Sequence, residues 1–220
     1  MTEHAIVKPA SDWRAHSTVR KLHGWNARLL GVFISIHLLN HLTILSSVET
    51  HLAVMETLRT VTYFPLIQYP LYILFFFQIV LGLILARKNW KPQSRWAWAQ
   101  VVSGLMIAFF AIQHLTAAVY SRWAFDDFDT NVFWAASVVS QPPLSLYFIP
   151  YYFIGVSAVF VHIASALHFA GVGVKHNLPK LIIVAGLGVA FLIVAGLTGT
   201  FEPFTLPAEN QRYLQEIYGS

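Results

Sequence analysis

The chain has 220 residues, 56% of them hydrophobic and 11% charged, with a net charge of +4. At a mean hydropathy of +0.58 it is too apolar for a water-soluble domain of this size. Cysteine is absent, which excludes thiolate-held iron–sulfur clusters, cysteine-ligated zinc and disulfides from this chain.

Residues 1–27 read as a polar arm. From Trp13 to Arg28 it mixes Arg, Lys and His with Trp13, Leu22 and Trp25, the composition of an interfacial helix. Because this arm precedes the first apolar run, no cleavable signal peptide is expected. A bilayer core about 30 Å thick needs about 20 apolar residues per helix, and five stretches qualify within 28–200, near 29–48, 66–86, 98–120, 146–170 and 181–200.

The first span carries His37, Asn40 and His41, with the two imidazoles at i and i+4 on one face. Loop 49–65 places Leu52, Met55 and Leu58 before Pro65, which predicts a short helix on the outer surface. The second span has Gln78 but no histidine; loop 87–97 is short and basic; the third span carries Gln113 and His114. Segment 121–145 holds Asp126, Asp127 and Asp129, then Val132 to Val139, then Pro142 and Pro143. It predicts an acidic turn followed by a re-entrant or surface helix. The fourth span carries His162 and His168. The fifth has Gly186, Gly188, Gly196 and Gly199 with no ionisable residue, which points to close packing. Residues 201–220 form a tail. No Walker loop, dinucleotide fingerprint, serine elbow or internal repeat is present.

The placement of charge sets an orientation. With a cytoplasmic N-terminus, Lys8, Arg14, Arg20, Lys21, Arg28, Arg87, Lys88, Lys91, Arg95, Lys175 and Lys180 lie inside, against Arg59, Arg122 and Arg212 outside. This bias predicts an all-α, five-transmembrane-helix bundle in the cytoplasmic (inner) membrane, N-terminus cytoplasmic and C-terminus outside, rather than a nucleic-acid-binding protein. Only Glu3 and Asp12 of the acids fall inside.

An imidazole in hydrocarbon needs a hydrogen bond, a metal or a water-lined cavity. At about 1.5 Å per residue, His41, 13 residues past Arg28, and His114, 16 past Trp98, share a depth in the outer half. Gln78, 12 past Leu66, and His162, 16 past Leu146, fall at or below the midplane on the inner side. Two facing imidazoles are what axial ligation of a b-type haem requires. Gly31, Ser35, Ser103, Gly104, Ala108 and Ala111 are small enough to clear space for the ring. A metal-free interhelical hydrogen-bond network explains such a pair nearly as well, and zinc lacks carboxylates at that depth.

Several motifs, in order, resemble the single-chain, five-helix cytochrome b anchors of succinate dehydrogenases and fumarate reductases, a class carrying two haems. "KLHGWNARLLGV" and "LLNHL" resemble the family's first helix, "QVVSGLMIAFFAIQH" (Gln100 to His114) its third, and "DTNVFWAASVVSQPPLSLYFIPYYFIGVSAVFVHIASALHF" its loop and fourth helix. The resemblance covers roughly 20–175 and implies His41, rather than His37, as first-helix ligand, paired with His114 around the outer haem. It places His162 at the inner haem, opposite a second-helix ligand. In "ILFFFQIVLGLILARKN" that position is Gln78, a poor haem ligand. The inner haem is then absent, the favoured expectation, or His37 or His168 substitutes. Alternatively Gln78 and His162 hydrogen-bond a quinone or each other. His23 and Arg28 read as snorkelling interfacial residues.

The implied function is a haem-b electron-transfer subunit that exchanges electrons with the quinone pool and docks soluble flavoprotein and iron–sulfur subunits on the cytoplasmic side, without being a complete enzyme. The alternative is a stand-alone divergent membrane protein binding one haem, a quinone or a lipid. A cofactor-free transporter or channel ranks below both, because the spans contain no Asp or Glu.

Overall fold

A computed structural model describes residues 18–124 and 129–219, and all secondary structure among them is helical. In chain order the helices are α1 (Thr18–Leu42), α2 (Val48–Thr62), α3 (Pro65–Lys88), α4 (Arg95–Ala124), α5 (Val132–Val139), α6 (Leu144–Phe169), α7 (Leu178–Leu197) and α8 (Ala208–Tyr218). Five of these, α1, α3, α4, α6 and α7, are long and apolar enough to cross a membrane.

The largest departure from expectation is the start of α1. Residues 18–28 form its first turns and not a separate interfacial element; residues 1–17, with Trp13, lie outside the described residues. The reason is lateral contact. Asn26 is buried, and its Nδ2–H donates to Leu74 O and to Gln78 Oε1 on α3, both at 2.8 Å. A polar stripe on a helix looks the same in sequence whether it meets headgroups or a polar interior.

Consecutive spans alternate direction, so α2, α5 and α8, each following an odd-numbered span, gather at one end and cap it. Ser47 caps α2 by accepting from the Thr50 N–H at 3.0 Å, and Asn131 caps α5 by accepting from the Phe133 N–H at 2.8 Å. The helix expected over 132–139 forms, with every residue but Phe133 buried, so it is packed into the molecule and not laid on its surface. Asp126 and Asp127 lie outside the described residues. Arg59 of α2 pairs with Asp129 at 2.7 Å, and Glu202 accepts from the Val48 N–H at 2.9 Å, tying the cap to the links around it.

The closest packing is α6 on α7, then α4 on α6 and α1 on α3. Gly155 lies under the Phe110 ring and Gly186 under Phe160, where any Cβ would collide. The apolar core, including Ile44, Val138, Tyr152, Ile193, Leu197 and Leu214, sits at the capped end. The backbone of α1 approaches α3 but stands off from α4 and α6. Histidines fill that interval.

Candidate functional site: two histidine layers

The layer at the capped end draws on three helices. His37 and His41 come from the last turns of α1, His51 from the first turns of α2, and His114 from α4. His37 and His41 approach Nε2 to Nε2 at 3.2 Å, so one of them donates. Ring centroids lie 4.6 Å apart for His37–His41, 5.6 Å for His41–His51 and 6.0 Å for His37–His114. The ring opposed to His114 is thus His37, with His41 one turn further on beside His51. Phe110 lies flat against His114 at 5.3 Å and fixes its plane. Three buried polar atoms here have no hydrogen-bond partner: His114 Nδ1, Asn40 Oδ1 and Trp134 Nε1.

His51 was missed in the sequence, where it reads as one polar position of a surface helix. It is 1% exposed, with Nδ1 donating to Asn40 O at 2.8 Å. Burial holds its pKa below the ordinary value, an effect the Asn40 bond opposes and nearby Arg59 reinforces. His51 is therefore neutral and closes the capped end.

The second layer lies toward the opposite, open end and joins His23 of α1, Gln78 of α3, Ser103 of α4 and His162 of α6. The Nδ1 of His162 is 3.1 Å from Gln100 O and 3.2 Å from Ser103 Oγ. Donation from Nδ1 to the carbonyl leaves Nε2 as the bare nitrogen. Gln78 does not bond His162, one of the alternatives expected for it: its Oε1 accepts from Asn26, and its Nε2 lies 3.3 Å from His23 Nε2. The ring opposed to His162 is His23, with centroids 6.4 Å apart and planes at 80°. His168 stacks on Trp96 at 4.4 Å near the open end, and Ser35 is exposed and bonds its own helix at Gly31 O. The signal for His23 was present: His23, Leu30 and His37 recur at i, i+7, i+14, one stripe of α1.

Among the described residues no three His, Asp or Glu side chains are arranged to hold a metal ion. A haem needs only two protein ligands, since its ring supplies four nitrogens. Imidazoles brought together from different helices are the donor type that group takes.

Compared with protein-family models, curated proteins and solved structures, the chain matches none. What fold and site define is a class: an all-helical protein with five helices fit to cross a membrane and two histidine layers between them.

Proposed function

We propose that this chain is a haem-b-binding membrane subunit that exchanges electrons with the quinone pool, in the manner of a succinate dehydrogenase or fumarate reductase cytochrome b anchor. The observation that carries this reading is the opposition of His37 and His114 at 6.0 Å in a bundle whose α1 stands off from α4. When bound, haem b supplies one-electron transfer. The chain's own residues do the rest. His114 and the α1 imidazoles hold the group, Phe110 fixes the ring of His114, and Trp134 Nε1–H and Asn40 Oδ1 offer unspent hydrogen bonds beside it. α2 and α5 pack over that end of the bundle.

Charge placement orients the molecule. The basic links between α3 and α4 and between α6 and α7, with Arg87, Lys88, Lys91, Arg95, Lys175 and Lys180, lie at the open end. The positive-inside bias makes that end cytoplasmic. It is the face offered to soluble flavoprotein and iron–sulfur subunits, while quinone arrives from the lipid. Gln78 at the second-span position favours the second reading, a stand-alone protein with the same fold that binds haem, quinone or lipid without a dehydrogenase.

The test is a reduced-minus-oxidised visible spectrum of the purified protein, expressed with haem in supply. A low-spin b-type spectrum is expected, with the capped-end component lost in His114→Ala. A colourless protein would defeat the proposal. Loss in His37→Ala but not in His41→Ala is expected from the opposed rings; the reverse assigns the ligand to His41, as the resemblance implies.

A further inference from the structure

We propose that the groove between α3 and α4 at the open end binds one anionic glycerophospholipid, with an acyl chain against Leu83, Ala86 and Leu105 and the phosphate on Arg87. The inference rests on the membrane-spanning reading of the five helices and is independent of haem.

The groove is built by the last turns of α3. Leu83, Ala86 and Arg87 fall at i, i+3 and i+4, one stripe that passes from apolar to cationic, and Trp90 follows just past the helix end. Leu105 of α4 completes the lining, and the groove measures about 400 Å3, within the range of about 300–1,000 Å3 for clefts that hold a ligand. Trp90 and Trp98 are exposed on either side of the α3–α4 link, and exposed indoles of membrane helices sit at headgroup level. Arg87 lies within one turn of Trp90. Its guanidinium therefore stands where headgroup phosphates are, while Leu83, a turn deeper, faces hydrocarbon.

Charge decides which lipid. Arg87 is exposed and makes no ion pair among the described residues. The acids among those residues, Glu49, Glu56, Asp129, Glu202, Glu209 and Glu216, all belong to the capped end and the links around it. Lys88, Lys91 and Arg95 stand in the same short segment as Arg87, so the mouth of the groove carries a positive field that no nearby carboxylate offsets. A zwitterionic lipid brings its own cation into that field, whereas an anionic one brings none. The planar guanidinium meets two phosphate oxygens at once, and the Trp90 indole N–H adds a donor at the same mouth. A free phosphate would use Arg87 but leave the apolar wall uncovered.

Native mass spectrometry of the full chain, released from detergent micelles doped with equal phosphatidylglycerol and phosphatidylcholine, tests the site without any haem or enzymatic readout. Wild type should retain one phosphatidylglycerol in preference to phosphatidylcholine. Arg87→Gln should weaken that retention about tenfold, the size of one charge-assisted contact, and Lys175→Gln, in the other basic link, should leave it unchanged. Ala86→Phe, which fills the groove but keeps the charge, should also lose the lipid; size exclusion establishes that each variant is folded. Equal retention of the two lipids by wild type, equal loss in Arg87→Gln and Lys175→Gln, undiminished retention in Ala86→Phe, or a quinone retained in place of phospholipid would each overturn the site. A colourless protein that retains the lipid defeats the proposed function and leaves this site standing; a haem-loaded protein with no lipid preference does the reverse.

Discussion

His51 shows how one buried side chain makes the capped end sensitive to pH. Its folded-state pKa lies below its unfolded value near 6.5 because burial, with Arg59 nearby, disfavours the charged ring. The unfolded chain therefore binds more protons than the folded one as pH falls. The stability contributed by neutral His51 is full above about pH 6.5 and declines as pH drops toward the lowered pKa. Melting in detergent between pH 8 and pH 5 should lose more stability for wild type than for His51→Gln, and amide exchange should locate the difference in α2. Asp129 belongs to the same scale. Its carboxylate meets a mostly buried Arg59 at 2.7 Å, with Asp129 itself 38% exposed. Solvent screens such a pair, so Asp129→Asn should cost at most about 1 kcal/mol, measured as a salt-dependent fall in Tm.

Among the elements, α7 separates what composition says from what contact decides. Its glycines look alike in sequence, and close packing is the natural expectation for all of them. The structure sorts them. Gly186 lies under Phe160 and Gly196 under Ile44, a Cβ at Gly188 would meet nothing within 4 Å, and Gly199 takes the turn after the helix with φ of +69°. Gly186→Leu should therefore destabilise the α6–α7 pair by about 1–3 kcal/mol through overpacking, whereas Gly188→Leu should be nearly silent in the same thermal-shift measurement. Most span boundaries were legible for a related reason: a long apolar run is a local property. The expected 66–86 became Pro65–Lys88, and 146–170 became Leu144–Phe169. The failure at α1 is equally physical, because His23 and Asn26 are polar and only their neighbours on α3 and α6 reveal that they point inward.

For the whole molecule, the test of orientation is direct, because the chain has no cysteine and each introduced one reports alone. Lys91→Cys in the α3–α4 link should react with a membrane-impermeant maleimide only after the cytoplasmic side is opened, and Thr57→Cys on α2 from the outside. The opposite pattern would reverse the proposed docking face. By itself the sequence determined five apolar helices, their alternating course, the asymmetry of charge between their ends and the presence of imidazoles within them, since each follows from the composition of a local stretch. Only the tertiary structure decided which imidazoles meet. His37 rather than His41 opposes His114, and His23 rather than Gln78 opposes His162. That choice depends on how each helix is rotated about its axis and where α1 begins, and these are set by contacts between helices far apart in the chain.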